Sequence, residues 1–149
     1  MMFVTHLSFG LLMGLLAIKF TDIPVNMAVL LMLLLIGSYG PDIDSVSIFT
    51  RNGKPLKWFV KHRGPTHSLL ALVLFALIVL LITSNWYYTL AFATGYFFHL
   101  LMDSLTLSGV PMFWPSKKRI KGKIKTTGMV DVAVLGVLLA LDIALFLYL

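Results

Sequence analysis

The sequence predicts an all-α integral membrane protein, a bundle of about five helices. Three observations predict it. Only 12% of the 149 residues are charged and the mean hydropathy is +0.95, whereas a soluble domain carries roughly 25% charged residues. Apolar runs recur at 3–19, 25–40, 67–83, 86–107 and 129–149, each near the requirement of about 20 residues, range 17–25, for crossing a bilayer. Positive charge is confined almost entirely to two of the intervening segments. A chain of this length reads as one domain, 1–149.

The first run lacks a basic leading region and carries His6, which argues against a cleaved signal peptide. Residues 20–24 make a short turn. The second run is short and ends at Gly40-Pro41, where a helix stops. Residues 41–66 form a long basic loop, and 84–85 a tight turn between the third and fourth runs. Residues 108–128 form the second long basic loop before the last run.

Arg51, Lys54, Lys57, Lys61 and Arg63 fall in the first long loop; Lys117, Lys118, Arg119, Lys121, Lys123 and Lys125 fall in the second. With five spans, 11 of the 12 positive residues lie on one side, and only Lys19 lies opposite. The positive-inside rule makes that side cytoplasmic. The expectation is a multi-pass protein of the cell (inner) membrane, with its N-terminus and both long loops cytoplasmic and its C-terminus outside. "KPLKWFVKH" (54–62) reads as a short interfacial amphipathic segment. "GVPMFWPS" (109–116) reads as a non-helical interfacial stretch, because Trp favours that depth. The net charge of +6 and the run "KKRIKGKIK" suit anionic headgroups rather than nucleic acid.

Residue types exclude several chemistries. There is no cysteine, hence no disulfide and no thiolate metal site. All six acids are aspartate, which removes HExxH-type metalloproteases, whose Glu is the general base.

The remaining ionisable residues gather on one side. His6 opens the first helix. Asp42 and Asp44 in "GPDIDS" follow the second, His62 and His67 in "HRGPTHS" precede and open the third, and His99 and Asp103 end the fourth. His99 and Asp103 are spaced i,i+4 and share a helix face, so they can hold one ion together. The Gly64-Pro65 break makes His62 a loop residue and His67 a helix-start residue. Imidazole and carboxylate ligands without thiolate suit zinc first and manganese second. Seven candidates exceed one tetrahedral site and fit one or two ions, the latter about 3.5–4 Å apart.

Each residue alone has a bland explanation: a structural histidine, an Asp cap in an ordinary turn, an interfacial polar residue. Ionisable groups in spans cost about 2.5–3.5 kcal/mol at a helix centre, so the coincidence of seven at one face is read as a one-sided metal site. Asp131 is expected to pair with the basic loop, and Asp22 and Asp142 to be structural. Thr66 and Ser68 read as supporting or capping hydroxyls. Arg63, beside the histidines, is placed to clamp a phosphate.

These residues together resemble the YdjM-like family, through "THLSFG" at 5–10, "GPDIDS" at 40–45, "HRGPTHS" at 62–68, "GYFFHLLMDSLT" at 95–106 and "GVPMFWP" at 109–115. The resemblance covers nearly the whole chain and implies metal-dependent hydrolysis in a bacterial or archaeal membrane. A more distant similarity, in motif order, is to the all-helical zinc-dependent phospholipases C. This chain departs from them: no histidine follows His99 and there is no glutamate, so a second His-x-x-x-Glu helix and a third metal are absent from the pattern.

The expected function is therefore a membrane-bound metal-dependent hydrolase, a phosphoesterase acting on a lipid or other amphiphilic substrate at the cytoplasmic face. Asp42 or Asp44 would accept a proton and Arg63 would stabilise developing charge. The rival reading is a zinc transporter or a non-catalytic metal-binding membrane protein; transporter sites lie near the midplane, at repeat interfaces. Bis-histidine haem through His6 and His99 would leave the aspartates unexplained. No feature sets an oligomeric state.

Overall fold

A computed structural model describes residues 1–20, 23–45, 64–116 and 118–148, with backbone alone for 43–45. Among them five α-helices form: α1 (Phe3–Phe20), α2 (Met27–Tyr39), α3 (Leu69–Thr83), α4 (Trp86–Ser104) and α5 (Met129–Tyr148). No strand forms among the described residues; two isolated β-bridges do.

Local chemistry sets the ends. Asn26 caps α2, its side chain accepting from Val29 N at 3.2 Å. Gly40-Pro41 closes α2 into a 3-10 turn, Gly40–Ser45. The third helix starts two residues later than its apolar run suggests. Pro65–His67 winds as a separate 3-10 turn, and Ser68 then caps α3 by accepting from Ala71 N. Ser84 turns in the left-handed region at φ 48, and Asn85 caps α4 by accepting from Tyr87 N and Tyr88 N. The fourth helix stops at Ser104, short of the expected 107, where the Thr106 hydroxyl donates to the Asp103 carbonyl at 2.7 Å.

Among the described residues two helices, α1 and α5, are long and apolar enough to cross a membrane, with mean hydropathies of 1.7 and 2.5. Five spans were expected; the other three helices fall below that length or hydropathy for physical reasons, and length and composition do not by themselves set the number of crossings. α2 and α3 have 13 and 15 residues, about 20–23 Å at 1.5 Å per residue, against a hydrocarbon core of about 30 Å. α4 is long enough, but its inner face carries Thr89, His99, Asp103 and Ser104, all buried.

α4 packs on α2 and α3, while α1 packs on α2 and α5. The α2–α4 contact is backbone to backbone. A Cβ added to Gly95 would lie 2.1 Å from the Leu34 carbonyl oxygen, and one on Gly37 would lie 2.1 Å from that of Phe92. Small residues at helix crossings permit this approach where lipid gives no hydrophobic drive. Tyr96 and Leu100, with no exposed surface, centre a cluster that Leu69, Leu72, Ala76 and Val79 of α3 cover.

Between α4 and α5 the chain makes an ordered hairpin. Val110 and Ile120 exchange both backbone hydrogen bonds at 3.0 Å, Gly122 N donates to the Thr106 carbonyl, and Ile124 N donates to that of Leu105. Gly109, at φ 58, turns the chain where a side chain would strike Ile120. The segment 109–116 is non-helical, as its prolines suggested, and Leu69 N at the head of α3 donates to the Met112 carbonyl. The amphipathic segment 54–62 lies outside the described residues.

A candidate metal centre at one end of the bundle

The helices alternate in direction, so the start of α1, the end of α2, the start of α3 and the end of α4 share one end. His6, Asp42, His67, His99 and Asp103 meet there. Donor atoms of His6, His99 and Asp103 lie within 4.8 Å of one another, and so do those of Asp42, His67 and His99. His99 belongs to both sets.

Individual distances define the cluster. His6 Nε2 is 3.2 Å from Asp103 Oδ1. His67 Nε2 is 3.4 Å from Asp42 Oδ1 and 3.8 Å from Asp103 Oδ2. His99 Nε2 is 3.7 Å from Asp42 Oδ1 and 4.0 Å from Asp103 Oδ2. The rings of His6 and His99 stack at 3.9 Å, and those of His67 and His99 meet edge to face at 5.4 Å. The Met1 amino group also donates to Asp103 Oδ1.

The cluster is dry. His67 has no exposed surface, and His99, Asp103 and His6 retain 1–3%. Only Asp42, with 16% of its side chain exposed, reaches the surface. Burial pushes the Asp42 carboxyl up; a hydrogen bond from His67 and the nearby imidazoles of His99, His67 and His6 outweigh it, and hold the carboxyl below its ordinary range.

The donor set fits a divalent cation. His99 donates from Nδ1 to the Ser38 carbonyl at 2.7 Å, which turns the Nε2 lone pair toward the carboxylates, as metal-ligating histidines are usually held. That Nε2 and His6 Nδ1 are buried without a hydrogen-bond partner among the described residues. A buried polar atom left so costs about 1–3 kcal/mol. Three imidazoles and two carboxylates are the ligands zinc or manganese takes.

Other expected residues fall elsewhere. The Asp44 side chain, His62, Arg63 and Asp22 lie outside the described residues. Among the described residues Asp131 makes no ion pair with the lysines and arginines of the basic loop: its carboxylate accepts from neutral donors at 2.9–3.0 Å, Thr5 Oγ1 and Met2 N, which α1 brings to α5, and Thr127 N at the end of that loop. Asp142 accepts from Ser8 at 2.6 Å. Thr66 Oγ1 lies 3.3 Å from His67 Nδ1. Two supports went unread in the sequence. The Ser38 carbonyl is a backbone group, which residue types do not reveal. The Tyr96 hydroxyl, which donates to the Thr66 carbonyl beside His67, was legible: it sits one turn before His99 on an inward face.

The family model of the YdjM inner membrane protein matches residues 1–148. Inner membrane protein YdjM of Escherichia coli (strain K12) and that of Shigella flexneri are each 39% identical over 93 residues, 54% of this chain and 46% of theirs. The chain thus spans about half the length of the curated relatives it matches. No solved structure matches, so the likeness to zinc-dependent phospholipases C rests on motif order alone.

Proposed function

The chain is a membrane protein of the YdjM inner membrane protein family, and from that premise we propose that it is a metal-dependent hydrolase acting on a phosphoester of an amphiphilic substrate. One observation carries the reading. Three buried imidazoles and two carboxylates, delivered by four chain segments, present donor atoms to common points. An ion pair needs one partner for each carboxylate; three imidazoles around two carboxylates exceed that need.

A divalent cation bound there would polarise a phosphoryl oxygen and bring the pKa of a water toward 7. The chain's own residues do the rest. Ser38 fixes the His99 tautomer, and Asp103 orients His6. Asp42 is the carboxylate open to the surface and is kept ionised by its imidazole neighbours, so it is the residue to accept a proton from an attacking water. Asp44 is its alternate in that role, and Arg63 the clamp for the phosphoryl group. The other four candidate ligands retain 0–3% exposure. The one-ended position favours hydrolysis at an interface over transport, whose sites lie near the midplane.

The test is metal analysis of detergent-purified protein, followed by zinc- and manganese-loaded assays on phospholipids and on soluble phosphomonoesters and diesters. Metal-dependent hydrolysis lost in Asp42→Asn is the expected result. Full metal occupancy with no hydrolysis, and ion flux in vesicles instead, would establish the transporter.

A further inference from the structure

The flanks of His67 open onto a groove that the cluster itself does not use. Pro65, Thr66 and Ser68 form its head, Leu70, Leu74, Leu77, Ile78 and Leu81 of α3 run along it, and Trp114 of the hairpin overhangs it; its volume is about 530 Å³. From Ser68 to Leu81 the helix rises roughly 20 Å, more than the roughly 15 Å of one leaflet in a 30 Å core. The inner face of α3 is spent on α4, and the groove residues are its outer face. Trp114 stands at the head because Leu69 N is bonded to the Met112 carbonyl.

A second feature lies at the same end. In the hairpin, Ile120, Gly122 and Ile124 make the backbone bonds to Val110, Thr106 and Leu105. Arg119, Lys121, Lys123 and Lys125 hold the alternate register and are exposed. Alternate residues of an extended segment project to one side at about 6.6–6.8 Å intervals. The result is a row of cations, on a segment that begins immediately after Asp103 and α4.

We infer that one anionic phospholipid docks here, an acyl chain along the outer groove of α3 beneath Trp114, the headgroup under the Lys121–Lys125 row and the phosphoester beside His67. This rests on the hydrolase reading and names its substrate class. An apolar wall gives little affinity in lipid, where every chain is already solvated by chains; its part is to set depth, so that the ester linkage sits level with the cluster. Selection comes from the cations, which attract an anionic headgroup and not a zwitterionic one. The hairpin's hydrogen bonds hold that row against the residues that follow α4.

The test is photocrosslinking with the full chain in vesicles of phosphatidylcholine carrying a trace of diazirine-acyl phosphatidylglycerol or diazirine-acyl phosphatidylcholine, read by peptide mapping. Phosphatidylglycerol label is expected several-fold denser on Leu70–Leu81 than on the exposed residues of α5, with no such excess for phosphatidylcholine. Leu74→Trp, which fills the groove, and a triple Lys121→Gln, Lys123→Gln, Lys125→Gln variant should each remove the excess; Val137→Trp, on the outer face of α5, should not. Label spread over α3 and α5 in proportion to exposed surface, or equal for the two lipids, overturns the inference. Labelling needs no turnover, so the two readings fail separately. Excess label without hydrolysis of any phosphoester leaves the lipid site and removes the hydrolase; hydrolysis of soluble phosphodiesters with even label does the reverse.

Discussion

Gly95→Ala tests whether the helix packing and the candidate metal centre are one structure. A Cβ at Gly95 would lie 2.1 Å from the Leu34 carbonyl oxygen and 2.8 Å from Ser38 N, both backbone atoms of α2. Neither can swing aside as a side chain can. Ordinary contact begins near 3.4 Å, so α2 must retreat by roughly 1.3 Å, the kind of overpacking that costs about 1–3 kcal/mol. Ser38 lies one turn beyond Leu34, and His99 one turn beyond Gly95, so the same movement stretches the 2.7 Å bond from His99 Nδ1 to the Ser38 carbonyl. At roughly 4 Å it is no longer a hydrogen bond. Loss of a bond that orients a ligating histidine typically lowers metal affinity 10–100-fold. The assay is zinc affinity of detergent-purified protein by chelator competition, paired with thermal unfolding by circular dichroism. Gly136→Ala is the control, since a Cβ there meets nothing within 4 Å; it should keep wild-type affinity and unfold no earlier. Wild-type affinity and unfolding temperature in Gly95→Ala would refute the coupling.

Other expectations follow from the same geometry. Asp103→Asn and His99→Ala should each lower zinc retention more than tenfold, measured by elemental analysis, with helical content unchanged. The Asp42 carboxyl is held below its ordinary value of 3.8, so its stabilising charge is in full force above that pH and is lost only as pH falls further. Asp42 therefore stays charged between pH 7 and 5, and Asp42→Asn should weaken zinc binding by a similar factor across that range, measured by chelator competition. Asp131→Asn should lower thermal stability, by about 1–3 kcal/mol for donors left unmatched, while zinc content stays at the wild-type level. A reporter fused at the C-terminus should be active only outside the cell; cytoplasmic activity would remove one of the expected spans.

The helical architecture was legible because apolar runs punctuated by Gly-Pro, Gly64-Pro65 and Ser84-Asn85 leave little choice of element type. Length was less legible. Whether "HRGPTHS" continues into α3 depends on Ser68 taking the cap, and a serine beside an apolar run reads equally well inside the helix. The candidate residues followed from topology: runs of alternating direction bring His6, Asp42, His67 and Asp103 to one end without any tertiary information. Asp131 failed because the sequence places it beside a basic loop, whereas α1 delivers Thr5 and the Met2 amide at closer range. The hairpin was hidden for another reason. "KKRIKGKIK" reads by composition as solvated charge, and its period of two shows its meaning only when Leu105, Thr106 and Val110 supply the backbone partners.

One helix does most of the assembling. Tyr96, His99 and Asp103 follow one another at i, i+3 and i+7, a single face of α4. From it the Tyr96 hydroxyl reaches the turn that carries His67, the His99 ring reaches the end of α2, and the Asp103 carboxylate reaches His6 on α1. Each bond joins α4 to a different segment that supplies or adjoins a candidate ligand. Such a face can be built only if α4 sits at the centre of the bundle, and it sits there because Gly95 and Gly37 let it touch the backbone of α2. The polar residues that make α4 a poor membrane span by hydropathy are therefore the residues that make it the organiser of the site. Helices α1 and α5, by contrast, carry the length and hydropathy of membrane spans and bring few polar groups to the cluster.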